Sequence, residues 1–259
     1  MLESFDIAAK DYDKEFTNSI IGKSQRSFVY SYLSTLLQDG SKKILELNCG
    51  TGEDALWFDK QGHKVLATDI SPAMISVAMR KNHSSKLRFE KCSIQHVDEK
   101  QVGVNYDMVF SNFGGINCLS ENEIKVMFKN LDDVLSISGN LILVIMSKNC
   151  IWENLYFKIK NDMRYKRRQS AEGDMANVNG VLVQTWYYNP EDLIKMIPEK
   201  WRFKTCLPIG LFVPPSYLNP FFERNKGIFK ILHMIDTLFH KKSFLARYAD
   251  HYLIHFTKQ

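Results

Sequence analysis

A glycine-rich turn with acidic residues on both sides is the part of this sequence best suited to binding a ligand. The turn, Asn48-Cys49-Gly50-Thr51-Gly52, follows an apolar run that ends at Leu47 and leads into a helical pattern. Glycine has no Cβ, so its backbone can turn sharply and approach a ligand closely. Glu46 precedes the turn, and Asp69 ends the next apolar run. A carboxylate at that place can accept both hydroxyls of a ribose, so the pattern indicates a nucleotide-type cofactor.

The glycine turn alone does not distinguish between cofactors. The stretch from Gly50 to Ala55 also satisfies the G-x-G-x-x-G/A pattern of nicotinamide and flavin sites. Glu46 favours a different group, because a carboxylate suits a sulfonium cofactor with its ammonium and positive sulfur better than it suits a pyrophosphate. A nicotinamide-dependent reductase and a nucleotide-binding protein without catalysis stay open as alternatives.

Short β-rich runs alternate with helical patterns through the first half of the chain. The predicted strands are Lys43–Leu47, His63–Thr68, Leu87–Phe89, Asp107–Ser111 and Leu141–Met146, and the predicted helices are Asp54–Lys60, Pro72–Lys81 and Glu121–Leu135. This alternation predicts βαβ units on a parallel, doubly wound sheet. The cofactor crevice is then expected at the carboxyl ends of the strands, beside the first one.

The second half is less regular and predicts an insertion after the fifth strand. Further elements are expected as helices over Ser147–Ser170, Pro190–Ile197 and Ile228–Phe239 and as strands over Val181–Tyr188, Trp201–Leu207 and Tyr252–Thr257. We predict one domain over residues 1–259, composed of an N-terminal helical cap (1–40), a cofactor-binding core (41–147), a helical insertion or lid (148–180) and the remaining sheet with the acceptor-pocket loops (181–259).

Two motifs together resemble a known family. Glu46 to Gly52, followed by Asp69-Ile70-Ser71-Pro72-Ala73-Met74, is similar to motif I and the acidic loop of class I S-adenosylmethionine-dependent methyltransferases, in their small-molecule branch. The resemblance covers about Ile44 to Met146. It implies an α/β fold with a seven-stranded Rossmann-like sheet whose last strand is antiparallel, and S-adenosylmethionine as cofactor. Asn48 departs from the family, which usually has glycine there, but asparagine tolerates the left-handed conformation.

The resemblance implies which residues lie around the methionine part of the cofactor. Gly50 and Gly52 would let the backbone approach it, with Glu46 and Asn48 beside them. Asn112, after the fourth strand, stands where the family contacts the methionine ammonium.

The resemblance also implies contacts to the adenosine part. Asp69 would hold the ribose and Ile70 would pack on the adenine. Ser93 and the backbone amide of Ile94 would contact the adenine edge, although the family often has an acidic residue in the place of Ser93.

The acceptor is expected at the same edge of the sheet. An antiparallel last strand would begin at this edge, which places His251 on the rim. An imidazole is suited to accept a proton because its ordinary pKa lies near neutrality. Tyr12 is a second candidate for this catalytic role, and the further expected substrate contacts are Asn117, Tyr187, Phe212 and Tyr217.

The amino-acid composition restricts which partners, metal sites and cellular location are expected. Lys and Arg number 34 against 29 for Asp and Glu, an excess of +5 that is too scattered to predict a nucleic-acid partner. Five cysteines without a CxxC pair predict neither a metal site nor a disulfide framework, which favours the cytoplasm. No signal peptide or membrane span is expected, since no apolar run reaches about 20 residues.

The sequence also predicts which side chains of two further segments face solvent or pack against other parts of the protein. The basic run Arg164–Arg168 is expected to be a solvated helix face. The apolar stripe of the helix over Ile228–Phe239 is expected to pack against the core or to form a dimer face rather than to touch a membrane. The protein is therefore expected to be a monomer or a homodimer.

The function expected from the sequence is methyl transfer to oxygen, nitrogen or carbon of a small, largely apolar acceptor, such as a secondary metabolite. Such a displacement needs alignment more than a dedicated nucleophile. A methyltransferase acting on RNA or protein is disfavoured, because Ser111-Asn112-Phe113-Gly114 stands where an N/D-P-P-Y-like tetrapeptide would follow the fourth strand.

Overall fold

Nine strands and ten helices are seen in the computed structural model, which describes residues 2–178 and 180–259. The strands are β1 (Lys43–Leu47), β2 (Lys64–Asp69), β3 (Leu87–Lys91), β4 (Tyr106–Ser111), β5 (Leu135–Met146), β6 (Asp174–Val178), β7 (Val181–Thr185), β8 (Trp201–Ile209) and β9 (His251–Lys258). The helices are α1 (Leu2–Ala8), α2 (Ile20–Leu36), α3 (Glu53–Lys60), α4 (Pro72–Lys81), α5 (Glu99–Val102), α6 (Glu121–Val134), α7 (Ile151–Ile159), α8 (Pro190–Met196), α9 (Asn219–Arg224) and α10 (Lys226–Phe239).

Seven of the strands form one sheet in the order β3-β2-β1-β4-β5-β9-β8. The pairs from β3 to β5 are parallel, and β9 is antiparallel to both of its neighbours. The predicted seven-stranded α/β sheet with an antiparallel last strand is confirmed.

The central strand is buried on both of its faces, which explains its continuous apolar sequence. Leu45 and Leu47 pack into the layer that contains α6, whereas Ile44 packs with Phe58 of α3 on the other side. All four side chains are fully buried. This two-sided core fixes the position of the loop that follows β1.

The carboxyl ends of the central strands lie close together. In the parallel register Leu47 of β1 is paired with Ser111 of β4, and Glu46 is paired with Ala67 of β2. Winding reverses between β1 and β4, so the loops after these strands flank one crevice.

The N-terminal segment lies over this crevice. It consists of α1, a five-residue π-helical turn over Asp13–Thr17, and α2, whose N-cap Ser19 accepts a hydrogen bond from the amide of Gly22 at 2.9 Å. Phe28, Val29 and Leu33 of α2 join the same core layer as Phe58.

The structure differs from the prediction in the second half. The predicted strand over Val181–Tyr188 ends at Thr185 and pairs with β6 in a separate two-stranded sheet, so the segment predicted as a helical insertion also contains a strand. β5 begins at Leu135 rather than Leu141, because a register shift around Ser138, whose φ is +64°, lets the strand continue through the predicted turn.

Within the described residues, every helix is too short or too polar to span a lipid bilayer.

Candidate active site

The loop after β1 turns through three residues in the left-handed region. The φ angles are +46° at Asn48, +53° at Gly50 and +82° at Gly52. A Cβ on Gly52 would lie 2.8 Å from Cζ of Phe89, so packing requires glycine there. A Cβ on Gly50 would meet only Tyr12 Cε1, at 3.9 Å, which leaves the Gly50 backbone open to a ligand.

Asn48 connects the loops after β1 and β4. Its amide nitrogen donates to the carbonyl oxygen of Asn112 at 2.8 Å, and its amide oxygen accepts a hydrogen bond from the Ser111 hydroxyl. Gly115 packs on this side chain so closely that a Cβ would lie 2.1 Å from Asn48 Cγ. The expected left-handed asparagine is confirmed, but its side chain serves the loop structure. The sequence marks the loop that contains Ser111 and Gly115 but not their contacts to Asn48.

Asp69 holds the glycine turn from the end of β2. One carboxylate oxygen accepts from the Gly50 amide at 2.8 Å and the other from the Ser71 amide at 2.9 Å. Burial raises the pKa of Asp69, and these amides work in the opposite direction. Each oxygen has a second lone pair, so the carboxylate can still accept hydrogen bonds from a ligand. Ile70 follows it and is half-buried.

Three carboxylates lie in the crevice around one buried cation. Arg26 of α2 donates to Asp54 at 2.9 Å, and Asn112 donates to the other oxygen of Asp54 at 3.0 Å. Burial raises the pKa of Glu46 well above its ordinary value, and Asp54 and Asp69 add to that shift while Arg26 opposes it. Both Glu46 Oε2 and Asn112 Oδ1 are buried without a hydrogen-bond partner among the described residues. Such atoms indicate a missing donor, and the donor that suits this lining is cationic.

The N-terminal cap closes the crevice through two acidic side chains. Asp13 accepts a hydrogen bond from the Thr51 hydroxyl and forms an ion pair with Lys81. Asp6 accepts from the Ser71 hydroxyl and from the Ala73 amide. The cap is therefore attached to the glycine turn and to the first turn of α4.

Tyr12 lies over Gly50 with its ring 5.7 Å from that of Phe16. Burial raises the pKa of Tyr12 to about 12. The phenol therefore stays protonated at neutral pH and is a hydrogen-bond donor. A catalytic role for Tyr12 stays a prediction.

The expected adenine edge begins where β3 ends. The amide of Cys92 donates to the Asp69 carbonyl at 3.0 Å, which places Ser93 and Ile94 next to the ribose-side carboxylate. The Ser93 hydroxyl donates to Gln95 at 2.6 Å, and Gln95 in turn donates to Glu123. Gln95 is thus a polar group at this edge that the sequence did not single out.

His251 begins β9 and lies beside the loop after β4. Its ring meets that of Phe113 edge-on, with centroids 5.3 Å apart, and its Nδ1 is 3.1 Å from Asp250 Oδ2. Phe113 itself has a φ of +47° and packs against Phe16 of the cap. Phe16 and Phe113 are apolar neighbours that the sequence did not predict, because only the fold brings cap and loop together.

A buried charge network surrounds Asp250. Arg168 donates to Asp250 at 2.8 Å and to Glu153 at 2.9 Å, and only 5% of its side chain is exposed. Burial works to raise the pKa of Asp250, but His251 and Arg168 outweigh it and hold that pKa below its ordinary value. The expectation that the Arg164–Arg168 run is solvated is wrong for Arg168, because two buried carboxylates draw it inward.

Gln25 of α2 reaches the same carboxylate. Its Nε2 donates to Asp250 Oδ2 at 3.2 Å, and its Oε1 is buried with no hydrogen-bond partner in the part of the chain that the structure describes. The side chain is fully buried, and a Cβ on Gly210 would lie 2.6 Å from Nε2. The helical cap gave no sequence signal for this residue.

The other expected acceptor contacts have different surroundings. Tyr187 is buried beneath the Arg168 guanidinium, which lies 5.0 Å from its ring centre. Asn117 is fully buried and its amide bonds only to the backbone of Met146 and Trp186. Phe212 packs on Phe239 of α10, and Tyr217 is 44% exposed against Tyr156. Of these four, Tyr187 alone joins the Asp250 network.

Comparison with known proteins agrees with this geometry. Residues 44–139 match the family described as a methyltransferase domain. The matched segment is similar to methyltransferase domains. It contains the glycine turn, Asp69 and the loop after β4. Among the described residues, no group of His, Cys, Asp and Glu side chains is arranged to hold a metal ion.

Relatives of the methyltransferase domain cover part of the chain. A protein of Geobacillus sp. (strain WCH70) named as a methyltransferase is 29% identical over 137 residues, which are 52% of this chain and 55% of that protein. Glycine N-methyltransferase of Homo sapiens is 24% identical over 151 residues, 49% of this chain and 50% of that enzyme. The chain thus spans about half the length of these curated relatives.

A solved structure shows the same fold over almost the whole chain. An S-adenosylmethionine-dependent methyltransferase from Clostridium acetobutylicum superposes with a TM-score of 0.61 at 15% identity, covering 96% of this chain and 97% of that one.

Proposed function

We propose that this protein transfers the methyl group of S-adenosylmethionine to a small, largely apolar acceptor that binds beside Phe113 and His251. The observation that carries the proposal is Glu46 Oε2, a buried carboxylate oxygen without a partner in a crevice that Asp54 and Asp69 also line. A cofactor with an ammonium and a sulfonium adds positive charge to a lining in which Arg26 is paired with Asp54 and Glu46 Oε2 has no donor.

The residues present fit this cofactor. The Gly50 backbone and the free Asn112 oxygen would hold its methionine part, and Asp69 would hold its ribose. Ile70 and the segment from Ser93 would border the adenine. When bound, the cofactor supplies a methyl group on a positively charged sulfur, which is already activated for displacement.

The chain itself then contributes alignment and exclusion of water. The cap that Asp6 and Asp13 attach to the crevice covers the site, and Phe16 and Phe113 form apolar walls beside it. Holding two reactants in line inside a dry site is the main source of acceleration for such a displacement.

His251 is suited to accept the proton that a hydroxyl group loses when it is methylated. Its Nδ1 lies 3.1 Å from Asp250 Oδ2 at a geometry that makes no hydrogen bond, and Nε2 is the atom that would take the proton as the methyl group arrives. The lowered pKa of Asp250 keeps that carboxylate charged, and its charge stabilises the imidazolium that forms. Asp250 is a positioning residue in this scheme.

Polar groups near the walls favour an acceptor with one hydroxyl on an apolar body. His251 meets the Phe113 ring edge-on, and the Arg26 guanidinium lies 5.2 Å from the centre of the Phe113 ring and 5.8 Å from that of Phe16. Gln25 lies near His251, because both side chains approach Asp250 Oδ2. A buried acceptor atom such as Gln25 Oε1 favours a ligand that donates a hydrogen bond to it.

The proposal is tested by incubating the protein and its cofactor with a panel of acceptors and measuring the release of S-adenosylhomocysteine. Simple phenols, aliphatic alcohols, amines and carboxylates are each incubated with the wild-type protein and methyl-labelled cofactor, and total RNA and a protein mixture form separate arms. We expect labelled product from apolar phenols or alcohols. Label that enters only RNA or protein at physiological salt would overturn the small-molecule assignment.

A further inference from the structure

Helix α10 packs on the protein through polar side chains together with Phe229 and Leu232, which pack against a small buried cluster. Asp236 is buried and its carboxylate accepts hydrogen bonds from the amides of Leu211, Phe212 and Val213 at 2.8 to 3.2 Å. His233 bonds to the Ser24 hydroxyl at 2.7 Å. The inward face of α10 is therefore fixed by hydrogen bonds.

The outward face of the same helix is apolar. Ile228 is 50% exposed, Ile231 56%, Met234 59% and Leu238 69%. Their spacing of three and four residues places them on one side of the helix. We call these four residues the α10 outer face. The expectation that the apolar stripe packs against the core or forms a dimer face is met in part, since Leu232 packs against a buried cluster while Ile228 and Ile231 are exposed.

Basic side chains surround the α10 outer face. Residues 219–249 contain exposed basic side chains at Arg224, Lys226, Lys230, Lys241 and Lys242, and none of these five forms an ion pair within the described parts of the chain. The acidic residues of the segment are Glu223 and the buried Asp236. The surface is thus apolar in its centre and positive at its edge.

This combination fits an anionic lipid surface. An amphipathic helix lies in a membrane interface with its apolar side among the acyl chains and its lysines at the phosphates. A second copy of the chain fits less well, because a two-fold interface would bring the same lysines of both copies together. We propose that the protein binds anionic membranes through the α10 outer face.

The docking helix is also connected to the candidate active site. Asp236 holds the segment that follows Gly210, and the Gly210 carbonyl accepts from the Asp250 amide at 2.9 Å. Membrane binding would therefore place the loop next to His251 close to the lipid. The binding itself requires neither cofactor nor acceptor, so it can be measured independently of methyl transfer.

Co-sedimentation with vesicles tests the proposal. Wild-type protein is mixed with vesicles of phosphatidylcholine alone, or of phosphatidylcholine and phosphatidylglycerol in equal parts. We expect sedimentation with the anionic vesicles, weakened by added salt, and little with the neutral ones. The double variant I231E/L238E and the charge variant K241E/K242E should each bind at least about tenfold more weakly.

Ile137→Glu is the matched control, because Ile137 is 79% exposed in β5 and outside α10. It should bind vesicles as wild type does, and thermal melting checks that all variants stay folded. Equal binding by wild type and I231E/L238E would overturn the proposal. So would a dimer in sedimentation equilibrium that dissociates in I231E/L238E while neither protein binds vesicles.

Discussion

The Asp69 carboxylate accepts a hydrogen bond from the Gly50 amide at 2.8 Å, although 19 residues separate the two in the chain. This bond attaches the turn after β1 to the end of β2. It makes one carboxylate both a support of the glycine turn and a candidate ligand of the ribose.

Replacing Asp69 with alanine should weaken cofactor binding. Loss of hydrogen bonds to a charged group typically costs about 1.5–3 kcal/mol, which is roughly ten- to 150-fold in affinity. Titration calorimetry with S-adenosylhomocysteine measures this change. Asp11→Ala, at an exposed position of the cap, is the control and should bind normally. Unchanged affinity in folded Asp69→Ala protein would remove Asp69 from the cofactor site.

Gly50→Val should abolish cofactor binding, because a branched side chain would fill the space above the open backbone. Gly62→Val is the matched control: Gly62 also has a positive φ, +90°, a Cβ there would meet no atom within 4 Å, and it lies outside the crevice. Both variants carry backbone strain of about 1–2 kcal/mol, so they should melt alike. Tight binding by Gly50→Val would contradict the proposed cradle.

His251→Gln and His251→Ala should slow methyl transfer to a hydroxyl acceptor by about 10²- to 10⁴-fold, the usual loss when general-base assistance is removed. Cofactor affinity should change little, and transfer to a neutral amine should be less affected. Single-turnover rates measure the effect, with exposed His83→Gln as control. Full rates in both variants would make His251 a packing residue.

Arg168→Ala should destabilise the protein by about 3–5 kcal/mol, because it leaves Glu153 and Asp250 buried without their shared cation. Denaturant unfolding measures the free energy. The nearby Arg164 pairs with Asp162 at the surface, so Arg164→Ala should change stability little. Equal stability of the two variants would show that the buried network contributes nothing.

Stability should fall as the pH decreases from 7 to 5, partly because of His255. Burial lowers the pKa of His255 to about 4, and the Tyr32 hydroxyl and Asn140 hold the neutral ring at 2.6 and 2.8 Å. Between about pH 4 and 6.5 the unfolded chain binds a proton that the folded chain rejects, so unfolding becomes easier in acid.

Because of His255, the free energy of unfolding should be lower at pH 5 than at pH 7 by about 2 kcal/mol. Unfolding titrations of wild type and His255→Gln at both pH values check it, and the variant should lose this part of the pH dependence. An identical slope in the two proteins would contradict the buried neutral imidazole.

The cofactor half of the site could be predicted because its signals are local. The strand β1 and the helix α4 have the predicted bounds, and the turn, Asp69 and the Ser71-Pro72 helix start are short contiguous patterns. Each of them depends on few long-range contacts. A sequence can therefore indicate them without knowledge of the rest of the fold.

The proposed acceptor half could not be predicted because its residues come from distant segments. Gln25 belongs to the cap, Phe113 to a loop and Arg168 to the insertion, and only the folded chain brings them to Asp250 and His251. Periodicity has a similar limit, since it marks two faces of a helix but does not state which one turns inward. In α10 the buried Asp236 lies on the inward side together with Leu232, whereas Ile231 is exposed.

Calorimetric titration of the wild-type protein with S-adenosylmethionine, S-adenosylhomocysteine and NADH tests the central claim most directly. We expect one site for each of the two sulfur nucleotides and no measurable heat with NADH, because Glu46, Asp54 and Asp69 would face an anionic pyrophosphate. Tight binding of NADH, or no binding of either sulfur nucleotide by folded protein, would contradict the proposed cofactor site.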